Sequence, residues 1–340
     1  MRALTKKRWR KIRYRLEWLC LGLIAWLVPL LPRRVVVRLA DGIGLAAYFC
    51  DQRGRRLALA NLEAAFGSLY SPRQRVEIAR ASFRDLSRTM FDLFWAPALT
   101  KENFRRYMDV QNIEVLHKLR ERGESAVILC IHHGNFEWAS LAAGFEGFSH
   151  TIVTEKFKNP LIAQVFTNCR QVSGHRIITQ KSSMIRLLKH VKRGGFSGML
   201  VDLNCKPGEA ATVIDAFGMA MCATFLHAVL AQRGGARLVP LEGRSQPDGS
   251  CRVIFHEPLE VPQGLNRRQF TQFCWNYFAP IIRDQPQHWM WAYRHWRFKP
   301  QAAVSPYPFY ARANPEFEKL LEKVVAGEVA GPVWPERHAM

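Results

Sequence analysis

From about residue 125 onward, short apolar runs rich in β-branched residues alternate with stretches of helical period, and no other feature limits the fold so tightly. Residues 126–131, 151–153, 176–178, 198–201, 236–239 and 252–255 read as strands, and 160–172, 182–192 and 224–232 as helices. This order predicts an α/β fold with a largely parallel central sheet flanked by helices. Such sheets bind ligands at the carboxyl ends of their strands. There is no glycine-rich dinucleotide fingerprint and no phosphate loop, which argues against nucleotide chemistry.

Upstream, Ser71-Pro72 has the form of a helix cap followed by proline in the first turn. Val76, Ala79, Phe83, Leu86, Met90 and Phe94 then recur every three or four residues up to Pro97, which predicts a long amphipathic helix. Its other face carries Arg73, Arg80, Arg84 and Arg88, either a row for lipid phosphates or a solvated face. Arg53, Arg55 and Arg56 lead into a further helix over 57–66. The 340 residues suffice for one large domain. We divide them into a basic arm and membrane anchor helix (1–50), a catalytic domain (51–300) and a tail (301–340) with a short helical pattern at 315–325.

A formal net charge of +21 implies an anionic partner, nucleic acid or an anionic membrane surface. The first fifty residues favour the membrane. Arg2, Lys6, Lys7, Arg8, Arg10, Lys11, Arg13 and Arg15 come without an intervening acid, and an apolar run from Trp18 to Pro32 follows. The run ends without the small residues of a signal cleavage site, so it is expected to stay attached. As a helix, residues 18–32 would reach about 22 Å, short of the ~30 Å hydrocarbon core, which leaves spanning and shallow insertion both open. The cysteines are scattered without metal-site spacing and read as reduced, mostly buried thiols.

The strand at 126–131 runs directly into His132-His133-Gly134-Asn135-Phe136-Glu137-Trp138, with a helix expected from Asn135. A histidine at a strand's carboxyl end, with a carboxylate five residues on, has the makings of a general base and its orienter. Glu137 would fold back onto one imidazole nitrogen while the other faces the cleft. Gly134 permits a tight turn, and amides at the helix start, around Gly134 and Asn135, would donate to a developing oxyanion. A core histidine beside a helix cap would look the same. A metal pair is a further reading, but no third ligand stands at a recognisable spacing, and none is expected.

The string HHGNFEW resembles the H-x4-D/E motif of glycerolipid acyltransferases, in the H-x-G-N-W-E form of the bacterial lipid A late acyltransferases, with Phe136 in place of tryptophan. The likeness extends from the anchor to about Pro300. Asn61-Leu62 with Ala65-Phe66, Lys158-Asn159-Pro160 followed by Arg170, Asp202, Phe217-Gly218 with Thr224, Val239-Pro240, and the block from Pro286 to Lys299 all fall in that family's order. Tyr293 stands where histidine is common, and the loop 204–215 departs from the usual pattern. HHGNFE also fits the H-H-x-x-x-D/E pattern of condensation-type acyltransferases, in which His133 would be the base.

The resemblance implies a cofactor-free O-acyltransferase that moves a fatty acyl group from acyl carrier protein or acyl-CoA to a hydroxyl of a membrane lipid, most directly a lipid A precursor in lipopolysaccharide biosynthesis. Acylation of another glycerophospholipid or glycolipid is the alternative within the fold. A basic nucleic-acid-binding protein with an anchor is the alternative outside it, although no nucleic acid is the expectation. His132, Glu137 and Arg170 would be catalytic, with Arg170 holding the thioester carbonyl or its oxyanion. Gly134, Asn135, Asp202, Arg294 and Arg297 would bind substrate, Asp202 by shaping the cleft floor or meeting the acceptor's polar groups. Trp289, Trp291, Tyr293, Trp296 and Phe298 would either seat lipid or pack in the core. The catalytic domain would lie on the cytoplasmic face of the inner membrane.

Overall fold

A computed structural model describes residues 2–154, 157–180, 183–208, 210–303 and 306–326, with side chains from residue 8 to residue 324 within those ranges. Four helices come first: α1 (Arg2–Leu27), α2 (Arg33–Cys50), α3 (Gln52–Phe66) and α4 (Pro72–Trp95). The body continues β1 (Met108–Gln111), α5 (Glu114–Glu121), β2 (Ala126–Cys130), α6 (Phe136–Phe145), β3 (Thr151–Thr154), α7 (Pro160–Gln171), β4 (Arg176–Thr179), α8 (Ser183–Val191) and β5 (Phe196–Leu200). After it come β6 (Ala211–Ala216), β7 (Met219–Thr224), α9 (Leu226–Gly234), β8 (Arg237–Ser245), β9 (Cys251–Phe255), α10 (Arg267–Asp284), the short β10 (Phe298–Lys299) and β11 (Arg312–Ala313), and α11 (Pro315–Ala326). The rest of the expected tail, 327–340, lies outside the described residues, as does Ser182 at the expected start of α8.

The main sheet has the order β1-β9-β8-β2-β5-β3-β4. All its neighbours pair in parallel except β8 and β9, which are antiparallel, so the mixed α/β expectation holds. The β6–β7 hairpin forms a separate antiparallel pair that the alternation did not reveal. β2 lies in the middle of the main sheet and is buried along its whole length. Its period-two side chains feed two cores: Val127 and Leu129 one side, Ala126 and Ile128 the other. That is why the strand reads as a continuous apolar run.

The amino-terminal helices explain their own sequence. Ser71 caps α4 in a reciprocal capping box with Gln74. α2 buries Val36, Ala40, Gly44 and Tyr48, every fourth residue, against α4. At Gly44 a Cβ would stand 2.6 Å from the Arg84 backbone, so only glycine lets the two helices close. Arg84 and Arg88 of the expected cationic row turn to Asp41 on α2, and Arg80 stacks over Tyr48 and Phe49. The outward face of α2 is apolar as well, with Val35, Leu39, Ile43 and Phe49 exposed, and Trp18, Leu19, Leu23 and Trp26 are exposed on α1.

No helix among the described residues is long and apolar enough to cross a membrane. An anchor that spans the bilayer is therefore unsupported, because α1 spends its first half on arginines and lysines and its apolar part gives way to the turn at Val28–Leu30. All eight cysteines are free thiols, with Cys20 and Cys50 exposed, Cys205 half-buried and the others buried.

Candidate active site

β2 delivers His132 to its carboxyl end, and β5, its parallel neighbour, delivers Asp202 two residues beyond its last paired position. The pairing brings them together across seventy positions of sequence. His132 Nδ1 lies 2.9 Å from Asp202 Oδ1, and the His132 backbone N–H donates to Oδ2 at 2.9 Å. Trp289 Nε1 donates to the same Oδ2 at 2.8 Å. Asp202 is fully buried. Burial alone would raise its carboxyl, but the charge and hydrogen bond of His132, with Trp289 behind them, hold it down to about 2. An ionised carboxylate only accepts hydrogen bonds, so the His132 proton sits on Nδ1 and the Nε2 lone pair is left free. The imidazole is partly exposed, and Nε2 makes no hydrogen bond among the described residues.

This corrects the expected pairing of His132 with Glu137. Both Glu137 oxygens accept from Arg170, Nε at 3.0 Å and Nη2 at 2.5 Å. Arg170 arrives on α7, which starts at Pro160 under an Asn159 cap. Burial would depress the Arg170 guanidinium, yet Glu137 more than compensates and raises it. Glu137 follows the Asn135 cap in the first turn of α6 and is drawn to the guanidinium of α7. Asp202, expected to meet substrate, instead faces His132, and none of its surface meets solvent.

Gly134 and Asn135 are corrected too, because their amides are engaged inside the protein. Gly134 N–H donates to the His288 carbonyl, and Asn135 N–H to that of Gly243. Gly134 has φ +56°, and a Cβ there would stand 2.0 Å from the Gly243 oxygen. The Asn135 side chain caps α6 at Trp138 N–H and donates to Asp92 at 2.6 Å. Neither residue offers a donor to an oxyanion; they shape the turn.

His133, the rival base, is buried and donates from Nε2 to the Gln285 carbonyl at 2.9 Å. Burial, followed by the charge of His288, pushes its imidazole down to about 4. Trp289, Trp291 and Trp296 are wholly buried, which makes them core rather than lipid seat. Arg294 stacks over Tyr310, and Arg297 lies half-buried beside the β10–β11 pair. Neither bonds to the His132–Asp202 or Glu137–Arg170 pairs. No group of three or more His, Cys, Asp or Glu side chains poised for a metal occurs among the described residues.

A polar stripe on α4 escaped the sequence reading. Ser82 donates to the Trp289 carbonyl at 2.6 Å and Thr89 to the Gly134 carbonyl at 3.1 Å. Asp85 lies 3.1 Å from His288 Nδ1, and Asp92 holds Asn135. The spacing 82, 85, 89, 92 is one helix face, and it was the signal available. From α3, Asn61 donates to the carbonyls of Trp291 and Tyr293, both at 2.7 Å. The turn after β2 and the 286–299 block are thus fastened from one side by buried side chains of the helical layer.

The model of the family described as bacterial lipid A biosynthesis acyltransferase matches residues 3–298. The chain is 25% identical over 297 residues to a lipid A biosynthesis lauroyltransferase of Escherichia coli, covering 87% of this chain and 95% of that one. It is 23% identical over 196 residues to a lipid A biosynthesis acyltransferase of Haemophilus influenzae, covering 56% and 60% respectively.

Proposed function

Since the chain belongs to the bacterial lipid A biosynthesis acyltransferase family and is an O-acyltransferase, we propose that His132, oriented by Asp202, is the general base that activates an acceptor hydroxyl of a lipid A precursor. The free Nε2 takes the hydroxyl proton as the oxygen attacks a thioester carbonyl, and Asp202 stabilises the imidazolium that forms. The tetrahedral intermediate then expels the thiolate, which recovers the proton from Nε2, leaving an ester and a free thiol. No protein nucleophile is required. Arg170, fixed by Glu137, presents its Nη1, which makes no hydrogen bond among the described residues, as the donor to the oxyanion.

The observation that carries this reading is the 2.9 Å contact between a buried carboxylate and the more exposed of the motif's two imidazoles, whose Nε2 makes no hydrogen bond among the described residues. The donor we favour is acyl carrier protein, an acidic partner suited to a chain of charge +21. The exposed apolar faces of α1 and α2, with Arg34 and Arg38 beside them, support seating in the plane of the inner membrane's cytoplasmic face rather than crossing it.

The test is acyl transfer from lauroyl thioesters of acyl carrier protein and of coenzyme A to a lipid A precursor in mixed micelles, with products read by mass spectrometry. His132→Ala is expected to lower turnover by about 10³-fold or more and to leave co-sedimentation with anionic vesicles unchanged. Full turnover by this variant would refute the assignment, and a preference for the coenzyme A thioester would overturn the donor.

A further inference from the structure

The helical layer at the amino terminus reaches the site through Arg33, the first residue of α2. Its Nη1 pairs with Asp92 Oδ1, while Nε and Nη2 donate to the Gly249 carbonyl at 3.1 and 2.5 Å. The guanidinium lies 4.5 Å from the centroid of the Trp138 ring. Asp92 is buried, and its other oxygen accepts from Asn135 Nδ2 at 2.6 Å while its carbonyl accepts from Trp138 Nε1 at 2.9 Å. Asn135 stands between His132 and Glu137 and is tied in addition to Trp138 N–H and the Gly243 carbonyl. The two halves of the site hang from it on either side.

We propose that Arg33 is a positioning residue of the acyl-transfer site, acting through Asp92 on Asn135 and so on the turn that carries His132 and Glu137. The proposal rests on the function given above. Its physical basis is that a buried carboxylate keeps both oxygens as acceptors only while a cation faces it. Burial already raises the Asp92 carboxyl to about 6 against the pull of Arg33. Without the guanidinium the carboxylate would be left as an unpaired buried charge, and the anchor of the α6 cap would loosen. Lysine would not substitute fully, because one ammonium cannot hold Asp92, Gly249 and the face of Trp138 together. Arg33 also stands three residues after the Val28–Leu30 turn that joins α2 to α1, so the segment we seat on the bilayer also completes the site.

The test uses full-length protein in the lauroyl-transfer assay. Arg33→Met is expected to lower kcat about 100-fold while KM for the donor stays within about threefold, as misplacement by about 1 Å produces. The double variant Arg33→Met/Asp92→Asn, which buries no unpaired charge, is expected to regain about tenfold over the single variant. Should Arg33→Met not fold, Arg33→Lys carries the same test, with kcat about tenfold down at unchanged KM. Near-wild-type kcat in the variant tested, a loss confined to KM, or a double variant no better than Arg33→Met would overturn the proposal. Absence of lauroyl transfer by the wild-type enzyme would instead overturn the function beneath it.

Discussion

Asp202 and Glu137 are two buried carboxylates of one site with opposite partners. Asp202 lies seventy positions from His132 and faces its imidazole, whereas Glu137 is five positions away and faces the guanidinium of Arg170. The nearer carboxylate sits on the first turn of α6, where it is captured by a cation from α7 that can hold both of its oxygens at once. The distant one sits at the end of a strand that pairs directly with the histidine's own. In a parallel sheet, neighbours across the ladder are closer partners for a strand-end residue than neighbours along the chain.

The comparison predicts unequal losses. Asp202→Asn keeps an acceptor for Nδ1 but removes the charge that stabilises the imidazolium, and is expected to lower kcat by about 10³- to 10⁴-fold with the donor's KM little changed. Glu137→Gln leaves the Arg170 charge uncompensated in a buried setting. It is expected to lower kcat about 10²-fold and to cost about 3 kcal/mol of stability in urea denaturation. The reverse ranking, with Glu137→Gln the more damaging in kcat, would return the orienting role to Glu137.

The smallest effect is on acid stability. Because the folded Asp202 carboxyl lies near 2, below its ordinary 3.8, its pairing with His132 contributes stability that is complete above about pH 4 and lost as pH falls through about 2. Asp202→Asn lacks that contribution. Urea unfolding of wild type and variant from pH 5 downward should therefore converge, closing a gap on the order of 2 kcal/mol across that window. Parallel curves at all pH values would mean that the pair is not ionised in the folded protein.

The legible parts of the molecule are those written in local pattern. The six strands read from apolar runs all exist within the main sheet, and β2, buried along its whole length, left the most continuous signature. The α4 cap, the α7 start and the position of His132 at a strand end were equally local. The β6–β7 hairpin was missed because its residues, such as Ala211, Ala220 and Ala223, are too small and too uniformly buried to alternate visibly. The α4 stripe was missed because its arginines drew the reading to the outer face, while Asp85 and Asp92 lay among apolar residues on the inner one.

By itself, then, the sequence determined the order of the six apolar strands and of the helices among them, the basic and apolar character of the amino terminus, and the turn of motif residues at the end of β2. These follow from propensity and period, which act over a few residues. Only the tertiary structure decided that Asp202 serves His132, that Arg170 takes Glu137, and that Arg33 and Asp92 stand behind Asn135. Which charges meet in a buried site depends on strand register and helix packing, and those are set by the whole core together rather than by any one segment.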